Sequence, residues 1–505
     1  MSDCVKPVVW TVAGSDTAGL AGQVADIRAI EALGAHPCMV TTAVTAQNNQ
    51  QVIAINPLNY EQIHSQFEAL KTVFPAAAIK VGMIPTLEAF QAVMDFVKGY
   101  EGSVIVDPVL VSSSGKPLVD DGVTKTFASL LPKIRLITPN IPELSLLTGL
   151  SVTVESSIKK AANRLIELGA SAVLVKGGHA DNVIGASPKY VHDYFVSAEQ
   201  SFWLHNKKQK TINTRGTGCV LASAITAALA HNYSLEDAVV LGKMLLNQGL
   251  RHGYSLVGEP DLQKGPLKPL NWPRETRDVP LLTATMGEPV SYQFPACTEL
   301  GELGLYPVVD RASWLERLLP LGVTTIQLRV KDLTGDALEQ EIVEAVSIAK
   351  KYAARLFIND YWQLAIKHQA YGVHLGQEDL ADADLNAIAQ AGLRLGLSTH
   401  CYYEVARAHA IKPSYLACGP VYHTDSKDMP WIPHGIDNLM KWKDLLPDYP
   451  WVAIGGINLE NCNKLLKTNC DWYALCSGVW NFKKGPEAAV KEFYKKINTN
   501  ENISK

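Results

Sequence analysis

Short apolar runs alternate with helical periodicity along almost the whole chain. In the first half, runs of strand type occur at residues 8–12, 38–43, 78–81, 103–106, 136–138 and 172–176, separated by helical spacing of apolar positions such as 87–97 and 158–168. Strand and helix in turn predict an α/β architecture, a mostly parallel sheet with helices on both faces. After a stretch of weak periodicity, strand-like runs recur at 305–309, 325–329, 355–358, 372–375, 394–398, 415–418, 451–454 and 472–475. Helical patterns at 337–351, 385–391, 403–411 and 459–467 fall between them. Eight strand–helix repeats of this size predict a closed (β/α)8 TIM barrel.

Chemistry in both architectures belongs at the carboxyl ends of the strands. In the first half those ends carry Gly14-Ser-Asp16, Thr45-Ala-Gln-Asn48, Gly82-Met83, Asp107-Pro108, Thr138-Pro-Asn140 and Lys176-Gly-Gly-His179. Taken singly, Asp107 reads equally as a turn residue, Asn140 as a helix cap and Lys176 as a solvated strand end. Asn213-Thr-Arg-Gly-Thr-Gly-Cys219 then runs into an apolar helix. Gly216 and Gly218 permit a tight turn there, and amides at a helix N-terminus make an anion hole for a phosphoryl group. In the second half the strand ends carry Gln327, Arg329 and Lys331 on one face, Asn359-Asp360, Gln377-Glu-Asp379, Ser398, the run Gly419 to Lys427, Gly455-Gly456 and Ser477-Gly478. Two cations on one face suit a polyanion, and Asp360 with Asp379 could hold Mg²⁺. A salt-bridged rim explains Arg329 with Asp360 as well, but not the glycine loops.

With 505 residues, the chain exceeds what one core fills. Residues 1–270 and 304–505 are expected as separate domains, and the proline-rich stretch 271–303 as a linker. Apolar content of 47% and charged content of 19% describe an ordinary globular protein. A formal charge of −4 points away from nucleic acid and from acidic membrane surfaces, leaving small molecules as partners. The nine cysteines form no CxxC pair, so free thiols in a reducing compartment are expected. The first ten residues lack a basic segment followed by an apolar core, which makes the cytoplasm the expected setting.

The first half resembles the hydroxymethylpyrimidine and phosphomethylpyrimidine kinases, which are ribokinase-like. Ala13-Gly-Ser-Asp16 with Ala21-Gly22, Ala46-Gln-Asn48, Lys80-Val-Gly-Met83, Thr138-Pro-Asn-Ile-Pro-Glu143, Lys176-Gly-Gly-His179 and Gly216-Thr-Gly-Cys219 carry the resemblance. It implies that Asp16, Gln47 and Met83 contact the pyrimidine, that Asn140 and Glu143 organise magnesium, and that Lys176 approaches ATP. It also implies that Gly216, Gly218 and Cys219 stabilise the transferring phosphoryl. A helix N-terminus is expected to lower the Cys219 thiol pKa, which would suit it as a base for a hydroxyl. A homo-oligomer through this domain is compatible with the resemblance.

The second half resembles thiamine phosphate synthase through Gln327-Leu-Arg-Val-Lys331, Ile358-Asn-Asp360, Gly372-Val-His-Leu-Gly-Gln-Glu-Asp379, Gly419-Pro-Val-Tyr422 with Thr424, Ser426 and Lys427, and Ala453-Ile-Gly-Gly-Ile457. The resemblance implies that Arg329, Lys331, Asn359 and Lys427 hold pyrophosphate and that Asp360 and Asp379 bind Mg²⁺. Gln327 and Ser398 would face the pyrimidine, while Thr424, Ser426, Gly456 and Ser477 would position thiazole phosphate. Together the halves imply phosphorylation of hydroxymethylpyrimidine phosphate by Mg-ATP, then joining of the diphosphate to hydroxyethylthiazole phosphate. The alternatives are a half kept as a non-catalytic pyrimidine or vitamin sensor, a kinase acting on pyridoxal-type alcohols, and a thiazole tautomerase.

Overall fold

The computed structural model describes residues 5–111, 117–178, 183–185, 187–256, 264–297, 304–424, 435–468, 470–475, 479 and 482–501. The chain forms two compact units, Met1–Pro273 with Arg277–Pro289, and Arg274–Thr276 with Val290–Lys505.

The first unit is built on one mixed sheet. Its strands are β1 (Val8–Asp16), β2 (His36–Gln47), β3 (Val52–Pro57), β4 (Ala78–Val81), β5 (Ser103–Val106), β6 (Leu136–Ile137), β7 (Ala172–Val175), β8 (Tyr190–Ser197), β9 (Ser201–Lys207) and β10 (Leu281–Thr283). They lie in the order β10-β9-β8-β7-β6-β5-β4-β1-β2-β3. The strands from β2 through β1, β4, β5 and β6 to β7 pair in parallel. The flanking β3, β8, β9 and β10 pair antiparallel. β4 and β7 are buried at every position, as continuous apolar strands covered on both faces should be. The helix Thr217–Ala230 is apolar almost all round and buries most of its length.

The second unit is a closed barrel of eight parallel strands: β11 (Gly304–Val309), β12 (Thr325–Leu328), β13 (Arg355–Asn359), β14 (Gly372–Leu375), β15 (Arg394–Thr399), β16 (Tyr415–Cys418), β17 (Trp451–Ala453) and β18 (Trp472–Leu475). β18 pairs back onto β11, which closes the ring. Its interior is filled by Tyr306, Phe357, Tyr415, Ala417, Val452 and Ala474. Gly396 makes room for one of these rings, since a Cβ there would stand 2.1 Å from Tyr415 Cζ.

Of the stretch expected as a linker, the described residues 271–297 divide between the two units. Leu281–Thr283 pairs antiparallel with β9 in the first sheet. Cys297 is fully buried against the barrel core, its carbonyl accepting from Arg355 Nη1 at 3.1 Å, and the Ala296 carbonyl accepts from Arg394 Nε at 3.1 Å. The prolines suppress periodicity without preventing a three-residue edge strand or a packed extended segment. Among the described residues no helix is long and apolar enough to cross a membrane, and the seven described cysteines are free.

Candidate active sites

In the first unit three segments meet around the turn Gly216–Cys219. Gly216 caps the helix Thr217–Ala230 at φ 84°, and a Cβ there would lie 2.7 Å from the Leu20 carbonyl oxygen. One side of the turn therefore rests on the loop that follows β1. On its other side, a Cβ at Gly218 would lie 2.9 Å from Asp107 Oδ2 and 3.1 Å from Lys176 Nζ. Bare glycines leave the helix amides open between these neighbours, the arrangement that an anion needs.

The predicted residues divide by what holds them. The carboxylate of Asp16 accepts from the amides of Ala18, Leu20 and Ala21, so it shapes the loop beneath Gly216. Met83 is buried under Gly14, where a Cβ would meet its Cε at 2.5 Å. Gln47 ends β2, opposite Val52 in the hairpin with β3. The loop beyond it is tied to the turn, because the Arg215 guanidinium donates to the Asn49 carbonyl. Asn140 and Glu143 form a capping box on the helix Ile141–Thr148, each side chain accepting from the other's backbone amide at 2.8 Å. Lys176 Nζ stands 2.5 Å from Asp107 Oδ1 and 3.8 Å from Glu143 Oε2. Burial pushes the Glu143 carboxyl up to about 7, with Lys176 opposing and Asp107 adding to the rise. For Lys176, burial opposes the charge, but Asp107 and Glu143 outweigh it and raise the pKa.

Cys219 corrects an expectation. Cys219 is only half-buried, but its crowded surroundings desolvate the thiol and push it up to about 12; the Lys80 ammonium opposes this, and the carboxylates of Asp26 and Asp107 add to it. The helix N-terminus does not win against desolvation. At pH 8 the thiolate fraction is then ~10⁻⁴, so alkylation of Cys219 by iodoacetamide should run ~10³-fold slower than that of glutathione. Peptide mass spectrometry over time measures this, and an ordinary rate would restore the thiolate.

Beneath the turn lies an ion pair that the sequence reading did not assign. Lys80 Nζ is 2.9 Å from both oxygens of Asp26, which also accepts from Thr11 Oγ1 at 2.6 Å and Ser223 Oγ at 2.9 Å. Both charges are fully buried. Removing one partner of such a pair costs ~3–5 kcal/mol. Lysine in the apolar strand Ala78-Ile-Lys-Val81 was the available signal, because a buried ammonium requires a carboxylate.

The barrel mouth gathers a second set. Lys331 Nζ is 2.5 Å from Asp360 Oδ2. Asp360 sits at the end of β13 with φ 65°, a left-handed conformation rare outside glycine and often held at functional sites. Asp379 accepts from the Gly376 amide at 3.0 Å, and burial, then Asp360, raises its pKa. The two carboxylates thus crowd each other, the donor chemistry that a hard cation relieves. Among the described residues no group of three or more His, Cys, Asp or Glu gathers. A two-carboxylate set fits Mg²⁺, which keeps waters and phosphate oxygens in its remaining positions. Asn359 is buried beside them at the end of β13, and Arg329 is half-buried at the end of β12. Gln327 and Ser398 lie within the barrel ends and join one hydrogen-bond chain through Tyr306, Tyr415 and His374. Gly456, at φ 65°, packs against the loop that carries Thr424, where a Cβ would lie 2.2 Å from the His423 carbonyl oxygen. Ser426, Lys427 and Ser477, and His179 in the first unit, lie outside the described residues.

An amide turn flanked by a Lys–Asp pair on a ribokinase-like sheet defines a phosphoryl-transfer enzyme, and the same chain carries a TIM barrel whose mouth suits an anion. The family "Phosphomethylpyrimidine kinase" matches residues 16–262, and "Thiamine monophosphate synthase" matches residues 305–479. The thiamine-phosphate synthase of Photorhabdus laumondii is 53% identical over 192 residues, 38% of this chain and 89% of that protein. Among solved structures, the phosphomethylpyrimidine kinase of Clostridium difficile 630 is 33% identical, covering 48% of this chain and 98% of that one at a TM-score of 0.42. The pyridoxal kinase of Staphylococcus aureus, in complex with pyridoxal, is 27% identical, covering 56% and 99% at a TM-score of 0.49. This chain belongs to the thiamine-phosphate synthase family through its barrel, which is fused to an N-terminal phosphomethylpyrimidine-kinase-like domain.

Proposed function

We propose that the first domain uses ATP to convert hydroxymethylpyrimidine phosphate to its diphosphate, and that the barrel joins this diphosphate to hydroxyethylthiazole phosphate. Thiamine phosphate and pyrophosphate are the products. The observation that carries the reading is the seating of Gly216–Cys219 against the Leu20 carbonyl on one side and Asp107 with Lys176 on the other.

In the kinase half the turn amides receive the transferring phosphoryl, whose loose transition state asks for positioning and charge more than for bond chemistry. Lys176 brings a cation beside them. A monophosphate acceptor is already ionised, so it needs no base from a thiol held at about 12. This favours the second phosphorylation over that of the free alcohol. Asn140 and Glu143, engaged with each other's amides, would act on magnesium through water.

In the barrel, Arg329 and Lys331, joined in the family pattern by Lys427 and Asn359, stabilise pyrophosphate as the C–O bond breaks and its electron pair leaves with oxygen. Asp360 and Asp379 would hold Mg²⁺, which supplies further charge stabilisation to that leaving group. The aminopyrimidine supports the methylene cation, and the thiazole nitrogen lone pair forms the new C–N bond. Gly456, Thr424, Ser426 and Ser477 would position the thiazole phosphate. No proton changes hands, so no protein base is required.

The test assays each half alone in the purified full chain. ADP release with hydroxymethylpyrimidine phosphate and Mg-ATP reads the kinase, and thiamine phosphate from the preformed diphosphate reads the synthase. Turnover of pyridoxal in preference to the pyrimidine would reassign the first half, and silence of both would leave a sensor.

A further inference from the structure

We infer that Asp193, held in the core by Lys243, is a positioning residue for Lys176: its carboxylate anchors the Gly177 amide and so fixes the exit of β7 beside the phosphoryl turn. The inference rests on the kinase reading above, in which Lys176 brings a cation to that turn.

β7 ends at Val175, so Lys176 and Gly177 are the first residues beyond the strand. The Lys176 amide donates to the Pro139 carbonyl at 2.8 Å, and the Gly177 amide donates to Asp193 Oδ1 at 2.8 Å. Asp193 lies in β8, which pairs antiparallel with β7. Its second oxygen accepts from Lys243 Nζ, and both charged residues are buried. Gly177 is buried too, and a Cβ there would stand 1.9 Å from the His192 carbonyl oxygen. The chain therefore leaves β7 pressed against β8, at a spacing that only glycine permits.

Lys243 comes from the helix Leu235–Arg251, which is seated on the helix that begins at the turn. A Cβ at the neighbouring Gly242 would lie 2.6 Å from Ile225 Cγ1 and 3.3 Å from the Leu221 carbonyl oxygen. One line of contacts thus runs from the helix behind Gly216–Cys219, through Lys243 and Asp193, to the residue after Lys176. The turn and its lysine share a support.

A buried ion pair is an expensive way to fill a core, since apolar residues of similar volume are often at least as stable. What the pair provides here is a carboxylate oxygen for a buried backbone amide, a stronger acceptor than a neutral group. Without it the Gly177 amide is left unmatched, and the exit shifts to find a partner. Lys176 Nζ must stand 2.5 Å from Asp107 Oδ1 and 3.8 Å from Glu143 Oε2, a placement that depends on where its backbone starts. Asp193 acts through Lys176, and Lys243 permits its charge in the core.

Two double variants of the full chain separate the amide anchor from the ion pair. Lys243→Met with Asp193→Asn removes both charges and keeps an oxygen for the Gly177 amide. Lys243→Met with Asp193→Leu removes the charges and the oxygen. With hydroxymethylpyrimidine phosphate and Mg-ATP, the asparagine variant should keep kcat for ADP release within about threefold of wild type, whereas the leucine variant should lose ~10- to 100-fold. KM for both substrates should stay within about twofold in each, and the two melting midpoints should lie close together. In a Lys176→Ala background the leucine pair should cost less than about threefold more, because both changes act through one group. If the leucine variant does not fold, Gly177→Ala displaces the same exit with the ion pair intact and should lower kcat to a similar extent. Equal kcat in the two folded double variants, or a loss undiminished by Lys176→Ala, would overturn the positioning role alone. A wild-type chain that releases no ADP with the pyrimidine phosphate, or a Lys176→Ala chain as active as wild type, would overturn the kinase reading of Lys176 and the positioning role with it.

Discussion

Asp360→Asn will lower thiamine phosphate formation from preformed pyrimidine diphosphate by ~10²–10³-fold, while ATP-dependent phosphorylation by the same preparation stays at its wild-type rate. Asparagine is the informative replacement because it keeps the volume and tolerates the left-handed backbone at φ 65°. The amide of residue 360 can still donate to the His374 carbonyl, a bond of 3.0 Å in the native chain. What disappears is the charge that holds Lys331 at 2.5 Å and crowds Asp379. Lys331 loses its anchor, and the two carboxylates proposed to hold Mg²⁺ are reduced to one. Pyrophosphate release reads the loss, and ADP release reads the control. A synthase rate within threefold of wild type would remove Asp360 from the site.

Gly216→Val should do the reverse, cutting phosphorylation by ~10²–10³-fold and sparing the synthase. A non-glycine residue at φ 84° carries ~1–2 kcal/mol of strain, and a β-branched one more. The added Cβ must also find space 2.7 Å from the Leu20 carbonyl oxygen and 3.2 Å from Ala25 Cβ, both in fixed structure. The turn therefore shifts, and amides that shift by ~1 Å lose most of their value to a transition state. Gly149→Ala is the control, since Gly149 has φ 70° but nothing within 4 Å of a Cβ, and its kinase rate should fall by no more than a few-fold. Equal losses at both positions would mean that left-handed strain alone, and not the turn, governs the rate.

The barrel strands were legible because a parallel strand buried on both faces is written as a continuous apolar run, as in Tyr415-Leu-Ala-Cys418, buried throughout. The same reasoning missed β3, β8, β9 and β10. Tyr190-Val-His-Asp-Tyr-Phe-Val-Ser197 mixes buried His192 and Asp193 into a strand, and Asp193 is explained by Lys243, fifty positions along the chain, and by the Gly177 amide, which donates to it at 2.8 Å. Residues at strand ends were found by topology, whereas their supports were hidden by distance. Asp26 reads as the polar face of a helix until Lys80 and Ser223 are folded onto it. Tyr306 and Tyr415 look like filler because their hydroxyl partners lie on other strands. For Cys219 the sequence displays the helix start, which lowers a thiol pKa, but not the desolvation, which raises it more.

The central claim is that a phosphoryl group installed by the first domain leaves from the second. The direct measurement supplies γ-³²P-ATP, magnesium, unlabelled hydroxymethylpyrimidine phosphate and unlabelled thiazole phosphate to the full chain, then follows the label. The account predicts one labelled pyrophosphate per thiamine phosphate formed, unlabelled thiamine phosphate, and label trapped in the pyrimidine diphosphate when thiazole phosphate is omitted. Label in thiamine phosphate itself, or in orthophosphate alone, would contradict it.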